Sequence, residues 1–229
     1  MNAKKIPLFL LAALTLTGAA FGENNSFSLN AGVNGLCYSL FDVERIQHVT
    51  AHATVSGGAG VFFDAKYAEA AVDIVWGSQL SPIYPLDTES GSVSLTHLGF
   101  SLYGKYPFGV EKITLYPMAG FDYHLFLSGQ VKDFDGNDYG ARLSRGDDID
   151  GEHTAGNRFD FFTAGIGLGM DFPLPKGLFI RAEMLLNYKF DSKIESDYRK
   201  NAQKWGYDYL SAVFGASGKI GVGYRFFER

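Results

Sequence analysis

Apolar and polar residues alternate one by one along most of this chain, and polar stretches interrupt the alternation. Phe162, Ala164 and Ile166 lie on one face of a predicted segment, and the intervening Thr163 and Gly165 lie on the other. A repeat of two residues is typical of β-strands with one apolar and one polar face. The pattern predicts eight strands, with approximate bounds. They are 27–38, 54–65, 68–76, 95–106, 112–127, 159–171, 178–188 and 210–227.

The predicted connections between these strands alternate between short and long. The short ones are 64–66, 107–111 and 172–177, and the long polar ones are 41–53, 77–94, 128–158 and 190–208. Short turns at one end and long loops at the other are typical of outer-membrane barrels, whose long loops lie outside the cell. We therefore predict an all-β fold, an eight-stranded antiparallel up-and-down transmembrane β-barrel. Gly35 and Pro117 are the expected positions of β-bulges.

The polar face of the strands combines small residues with charges of both signs. These charged residues are Glu69, Asp73, Asp122, Asp171, Arg181, Glu183, Lys219 and Arg225. The interior of an eight-stranded barrel is just wide enough for side chains to fill it, and a solvated outer face usually carries more Lys and Glu. We therefore expect the polar face to line the lumen. Since unpaired buried ions cost several kcal/mol, Arg181, Lys219 and Arg225 should pair with Glu69, Asp73 and Glu183 and plug the lumen.

Aromatic residues gather beside the predicted short turns and in the last strand. They are Phe62, Phe63, Tyr67, Tyr106, Phe108, Phe172, Phe179, Phe226 and Phe227. Such residues form the aromatic girdle of membrane barrels at the level of the lipid headgroups. The alternative is a soluble barrel in which these rings are ordinary core residues.

The N-terminal segment has the pattern of a signal peptide. A basic start with Lys4 and Lys5 precedes an apolar run that is too short for a transmembrane helix, and small residues follow it. We predict a cleaved signal peptide over residues 1–22 and an exported barrel domain over 23–229.

Cys37 is the one cysteine of the sequence, so no intramolecular disulfide is available. The formal net charge is −5 and no basic tract is present, which argues against a nucleic-acid partner.

The final strand carries a short motif with Lys219, Gly221, Tyr224 and Phe226 at its defining positions. It resembles the C-terminal signal by which the outer-membrane assembly machinery recognises its clients, with residues 227–229 as an extension. With this motif, residues 23–229 resemble the small outer-membrane barrels of the OmpX, OmpA and OmpW kind. The resemblance implies an outer-membrane location. It also implies contact with the lipid of the outer membrane and with the barrel assembly machinery. An OmpW-like member would pass small apolar molecules through its lumen, although the lumen charges here differ from an apolar passage.

Candidate metal and catalytic residues do not form a convincing site. His48 and His52 are four residues apart, and Asp133, Asp135 and Asn137 alternate as in a calcium loop that lacks its glycine. We interpret both sets as loop residues, with loose Ca²⁺ or Mg²⁺ bridging as the alternative for the acidic loop. The candidates for a nucleophile and base are His97, His124, Ser101 and Ser128, and no compact pair is evident. We predict no enzyme activity, no metal and no cofactor.

Three functional hypotheses follow from this pattern. The leading one is a structural or surface-interaction barrel that presents loops 128–158 and 190–208 to an extracellular ligand or a host surface. The second is a narrow porin-like channel for small, including apolar, solutes. The third is a membrane-embedded enzyme.

Overall fold

The computed structural model describes most of the barrel. It covers residues 28–45, 49–80, 90–110, 112–133, 138–148, 154–190, 196, 197, 200 and 210–228. The strands are β1 (Ser28–Arg45), β2 (Val49–Ala65), β3 (Ala68–Leu80), β4 (Ser90–Lys105), β5 (Phe108–Val110), β6 (Ile113–Asp133), β7 (Asp138–Ser144), β8 (Phe161–Pro173), β9 (Leu178–Lys189) and β10 (Leu210–Glu228). A short helix, α1, spans Ala155–Phe159, and a 3₁₀ turn spans Pro175–Gly177.

Eight of the strands form a closed antiparallel ring. Its order is β1-β2-β3-β4-β6-β8-β9-β10, and β10 pairs with β1 to close it. The prediction of an eight-stranded up-and-down barrel is therefore confirmed. We call the end with the short connections after β2, β4 and β8 the turn end, and the opposite end the loop end. β5 pairs with β6 near the turn end, and β7 pairs with β6 at the loop end, beyond the start of β8.

The strands extend further toward the loop end than the sequence pattern predicted. The predicted loop 41–53 is mostly strand, because β1 continues to Arg45 and β2 begins at Val49. The predicted loop 128–158 likewise contains the end of β6, all of β7 and part of α1. Strand periodicity marks a segment only while one of its faces stays apolar. In 41–45 the repeat of two continues, with Phe41 and Val43 against Asp42 and Glu44, and we assigned the segment to a loop because of its polar residues.

The predicted bulge positions are wrong. Gly35 and Pro117 lie in continuous registers, while β1 has a register shift between Leu29 and Asn30 and β4 has shifts between Ser90 and Ser92 and between Thr96 and His97. The Pro117 carbonyl accepts a hydrogen bond from the Tyr106 N–H, just past the end of β4. Proline is tolerated at this position because the N–H and C=O of one strand residue point to the same side. The missing proline N–H therefore points to the margin of the ladder.

The outer wall is apolar and the inner wall is polar, as predicted for a membrane barrel. Met184, Leu186 and Ile220 are about two-thirds exposed or more on the outside. The large exposed residues of β8, β9 and β10 are all apolar or aromatic, while buried Arg181, Glu183 and Lys219 point inward. β9 has 12 residues, close to the ~9–11 that a tilted transmembrane strand needs. Among the described residues, no helix is both long and apolar enough to span a bilayer.

Two of the aromatic residues assigned to the girdle lie inside the barrel instead. Phe62 and Phe179 are each 1% exposed and pack against one another with ring centroids 6.1 Å apart. The error arose because adjacency in sequence groups residues from both faces of a strand. Phe62 shares its face with Asp64, so the period of two directs it inward, whereas the neighbouring Phe63 lies on the outer surface.

Candidate functional site

The turn end of the lumen is organised around the guanidinium of Arg181 on β9. Its Nη1 lies 2.6 Å from Glu69 Oε2 on β3, and its Nε lies 2.8 Å from Asp171 Oδ1 on β8. Nη2 also donates to Asp171, at 2.8 Å, and to Asp64 on β2. In a ring of eight strands β9 and β3 stand opposite each other, so Arg181 spans the full width of the lumen.

A second cation and three aromatic rings complete this assembly, which we call the Arg181 cluster. Lys105 donates to Asp64, and its Nζ lies 3.7 Å from Glu69 Oε2. The Arg181 guanidinium lies 4.5 Å from the ring centroid of Phe62, 5.1 Å from that of Phe179 and 5.5 Å from that of Tyr116. Aromatic faces stabilise a desolvated cation in this range of distances. The members of the cluster are Asp64, Glu69, Lys105, Tyr116, Asp171, Arg181, Glu183, Phe62 and Phe179.

Inward glycines make room for the bulky members of the cluster. A Cβ on Gly169 of β8 would lie 2.1 Å from the ring of Tyr116, and one on Gly223 of β10 would lie 2.2 Å from the ring of Phe179. Such distances are too short for any side chain. The alternation of glycine with apolar residues in β8 and β10 therefore has a packing cause, which is the close approach of lumen aromatics to the backbone.

A looser polar layer lies above the Arg181 cluster, in the middle of the lumen. Lys219 Nζ on β10 lies 3.5 Å from Asp73 Oδ2 on β3 and 3.3 Å from Ser101 Oγ on β4. β10 and β4 also stand opposite each other, so this contact crosses the lumen as well. Nearby, Tyr103 and Thr163 both donate to the Asp122 carboxylate.

Among the described side chains, carboxylates outnumber cations in the buried lumen. Its buried acids are Asp64, Glu69, Asp73, Asp122, Asp171 and Glu183, and its buried bases are Lys105, Arg181 and Lys219. Hydroxyl donors offset part of the excess. Tyr116 donates to Glu183 at 2.9 Å and lies 3.3 Å from Asp171, and Tyr103 serves Asp122. Buried acids without a donor or a cation would cost several kcal/mol each, so these tyrosines are part of the ionic architecture.

The loop end of the lumen is filled by apolar and aromatic side chains. Leu95, Phe126, Ala155 and Phe159 form a buried cluster, against which Leu143 of β7 packs. His97 lies on the lumen side of β4, and its Nε2 is 3.0 Å from the carbonyl oxygen of Phe159 at the end of α1. The segment from Thr154 to Asp160, which we call the cap, therefore reaches into the mouth of the barrel.

The cap is fastened to the rim by the carboxylate of Asp160. Asp160 accepts hydrogen bonds from Arg145 Nη1 at 2.6 Å, from Tyr123 Oη at 2.9 Å and from the Phe126 N–H at 2.9 Å. The hydrogen-bonded Asp160 carboxylate raises the pKa of Arg145, which stays charged. Thr154 begins α1 by accepting from the Asn157 N–H at 3.4 Å.

The structure brings together five of the six residues predicted to form the lumen network, in two groups. Arg181 contacts Glu69 directly and lies 3.8 Å from Glu183, while Lys219 contacts Asp73. Arg225 is half-buried near the turn end, in register with Asn30 at the start of β1. Within the C-terminal motif, Lys219 and Gly221 face the lumen, and Tyr224 and Phe226 lie outside with ring centroids 5.2 Å apart.

The candidate catalytic residues do not converge. The rings of His97 and His124 are 6.3 Å apart within the aromatic packing of the loop end, Ser101 contacts Lys219, and Ser128 is exposed on β6. In the described part of the chain, no group of three or more His, Cys, Asp and Glu side chains is arranged to hold a metal. His48, Asp135 and Asn137 lie outside the described residues, and the side chains of His52 and Asp133 are not described. The absence of an enzyme activity and of a metal stays a prediction.

Sequence reasoning missed Asp64, Lys105 and Tyr116 as members of the Arg181 cluster. Asp64 was assigned to the turn, although it belongs to β2 and only Lys66 and Tyr67 form the turn. Lys105 follows Tyr103 by two residues and therefore shares its inward face, which the period of two already indicated. Tyr116 had a signal too, since it stands on the face of β6 that also carries Asp122.

Comparisons with known proteins give a likeness in structure only. No family model matches the chain, and no curated protein matches it. The chain is similar to Neisserial surface protein A, with 13% identity over 86% of this chain and 99% of that one and a TM-score of 0.41. It is also similar to the outer membrane protein OprG of Pseudomonas aeruginosa, with 11% identity over 88% of this chain and 96% of that one and a TM-score of 0.42. A third similar structure is a major outer membrane protein of Thermus thermophilus, with 14% identity over 87% of this chain and 99% of that one and a TM-score of 0.42. The fold assignment rests on the strand pairing described above.

Proposed function

We propose that this outer-membrane β-barrel is a sealed membrane scaffold with a structural or surface-interaction role, and that it does not conduct solutes. The observation that carries the proposal is the span of Arg181 from β9 to Glu69 on the opposite strand. Two carboxylates on intermediate strands, Asp64 and Asp171, hold the same guanidinium. A solute would have to break several charge-assisted hydrogen bonds at once to pass this level.

The charge of the lumen also disfavours the alternative of a channel for small apolar solutes. An apolar molecule that entered the lumen would separate Lys219 from Asp73 and would give these ions no hydrogen bonds in return. Desolvated ions without partners are costly. The barrel interior therefore acts as a packed core, and the useful surface is the one that the loop end presents.

Planar-bilayer recording of the refolded chain tests the seal. We expect no discrete openings from the protein with its native lumen, in symmetric KCl and at either polarity. A variant in which Arg181, Glu69 and Asp171 are replaced together by Ala, with Asp160→Ala added to release the cap, removes the bridge and the closure of the loop end, and it should show openings. Regular openings from the native protein would instead support the narrow channel and would contradict the sealed scaffold.

The location and the processing of the chain are part of the same proposal. The loop end faces the outside of the cell, the signal peptide 1–22 is removed on export, and the motif of Lys219, Gly221, Tyr224 and Phe226 is read by the barrel assembly machinery. The exposed Tyr224 and Phe226 rings on the final strand are accessible to such a partner before β10 closes on β1. The apolar outer wall contacts the lipid of the outer membrane.

Trypsin treatment of intact cells tests the orientation. The predicted loop 190–208 contains Lys193, Arg199 and Lys200 as cleavage sites. We expect cleavage there, with a barrel that still migrates as a folded species on an unboiled gel. Cleavage at Lys66 or Lys176 of the turn end in intact cells would show that the turn end, and not the loop end, faces the outside of the cell. N-terminal sequencing of the same preparation locates the processing site, which we expect before Glu23.

A further inference from the structure

The loop end of the lumen is closed by a part of the chain that is separate from the Arg181 cluster. We propose that the cap, Thr154–Asp160, is a second seal in series with that cluster. A polar chamber lies between the two seals, and small cations reach it from the loop end when the cap is released. The inference rests on the proposed function, because it takes the Arg181 cluster as the first seal.

The contacts of the cap place it across the mouth of the lumen. Phe159 is buried against Leu95 and Phe126, which are inward-facing residues of β4 and β6. Its carbonyl oxygen meets the lumen-facing ring of His97 at 3.0 Å. Below this contact the ring of Phe161 stacks on His124 with centroids 4.4 Å apart, which extends the apolar barrier inward.

The fastening of the cap is concentrated in one side chain. Asp160 joins the cap to β6 through the Phe126 N–H and Tyr123 Oη, and to the turn after β7 through Arg145. The backbone contacts from Ala155 N to Asp147 O, at 2.8 Å, and from Gly156 N to Arg145 O, at 2.9 Å, hold the other end of α1. The loss of the Asp160 carboxylate therefore weakens the hold on the barrel wall and leaves the hold on the loop.

The inward residues of β4 give the order of the two seals along one strand. His97 contacts the cap, Ser101 lies in the middle of the lumen beside Lys219, and Lys105 belongs to the Arg181 cluster. Each step is four residues, or ~13 Å of strand. Ser101 therefore lies between the seals, and a thiol in its place reports on the space between them.

The space around Ser101 is polar and acidic. The side-chain oxygens Asn34 Oδ1, Asp73 Oδ1 and Asn187 Oδ1 are buried inside the barrel and accept no hydrogen bond from the described part of the protein. Buried acceptors of this kind are ordinarily satisfied by water. A hydrated chamber with an excess of carboxylates favours the entry of a small cation over an anion.

The experiment uses a small cationic thiol reagent, a trimethylammonium methanethiosulfonate, on the mature chain folded in vesicles with the loop end outward. The parent for labelling carries Cys37→Ser, which removes the exposed native thiol, and Ser101→Cys as the reporter. Asp160→Ala releases the cap. The matched control is Asp147→Ala, whose exposed carboxylate accepts from the Ser144 N–H in the same loop. Arg145→Gln is a milder release, for the case in which Asp160→Ala does not yield a folded, heat-modifiable barrel.

We expect the reporter to be modified slowly in the parent and in the Asp147→Ala control. Asp160→Ala should raise the rate by about tenfold or more, because hydrogen bonds to a charged group are among the strongest in proteins and the rate follows the open population. Bilayer conductance should stay at the parent level, since the Arg181 cluster remains closed.

Each other outcome contradicts one of the two ideas. Fast modification in the parent, or an unchanged rate in folded Asp160→Ala and Arg145→Gln, means that the cap is no seal, and the sealed scaffold still stands. Steady channel openings in Asp160→Ala mean that the Arg181 cluster does not block ions. In that case the proposed function itself is wrong.

Discussion

The two ends of the lumen are closed by different physical means. At the turn end, Arg181, Lys105 and four carboxylates form an ionic cluster whose members come from β2, β3, β4, β8 and β9. At the loop end, Phe126, Phe159 and their neighbours form an apolar cluster, to which a five-residue helix contributes. The first cluster depends on the closure of the ring, because its partners stand on opposite walls. The second is built largely on β6 and the chain that follows it.

This difference has consequences for how each end responds to damage. An ionic cluster loses much of its stability when one cation is removed, because the remaining carboxylates are then buried without a partner. An apolar cluster loses contact area and gains a cavity, and the effect stays near the site. A substitution at the turn end should therefore lower the stability of the whole barrel, whereas one at the loop end should increase only local opening.

The largest effect is expected for Arg181→Met. The four neighbouring carboxylates lose their common cation, and the free energy of unfolding should fall by about 3–5 kcal/mol. Urea titration of the protein in vesicles, followed by the folded band on unboiled gels, measures it. Adding Glu69→Gln and Asp171→Asn should restore part of the loss. A single variant as stable as the parent would show that the turn end is not held by its ion pairs.

A smaller and more local effect is expected for Phe126→Ala. The substitution empties the centre of the loop-end cluster and should cost about 3 kcal/mol at that site. Hydrogen exchange should accelerate at the Gly156 and Asp160 amides, which donate to the carbonyls of Arg145 and Gly156 respectively, and stay slow in the turn end. Phe121→Ala, on the outer face of the same strand, is the control. Equal acceleration at both ends would contradict the separation of the two clusters.

The smallest effect is expected for Tyr103→Phe in the polar layer between the ends. It removes the hydroxyl that donates to Asp122, while Thr163 still serves that carboxylate. The free energy of unfolding should fall by about 1.5 kcal/mol, as for a hydrogen bond to a charged group. Tyr224→Phe, which alters an exposed ring on the outer wall, should change it little. If both substitutions have the same effect, the Tyr103 hydroxyl contributes nothing specific.

The sequence predicted the barrel itself because the relevant signal is local. In β8, apolar Ile166 and Leu168 alternate with Gly165 and Gly167, and this repeat of two is enough to identify a strand with two unlike faces. The same repeat placed Arg181, Glu69 and Lys219 on the inner face, and it would have placed Phe62 and Phe179 there as well. The turn-length pattern supplied the up-and-down order.

Only the tertiary structure decided which inward side chains meet. The contact of Arg181 with Asp64 joins residues 117 positions apart, and that of Lys219 with Asp73 joins residues 146 positions apart. Such pairs depend on the stagger and tilt of the strands around the ring, which no single strand encodes. The cap is a second case, because α1 is too short to be predicted from the sequence pattern. It is held by packing against Phe126 and by the hydrogen bonds of Asp160. Periodicity is a property of neighbours along the chain, whereas the seals of this barrel are made between walls that meet only once the ring is closed.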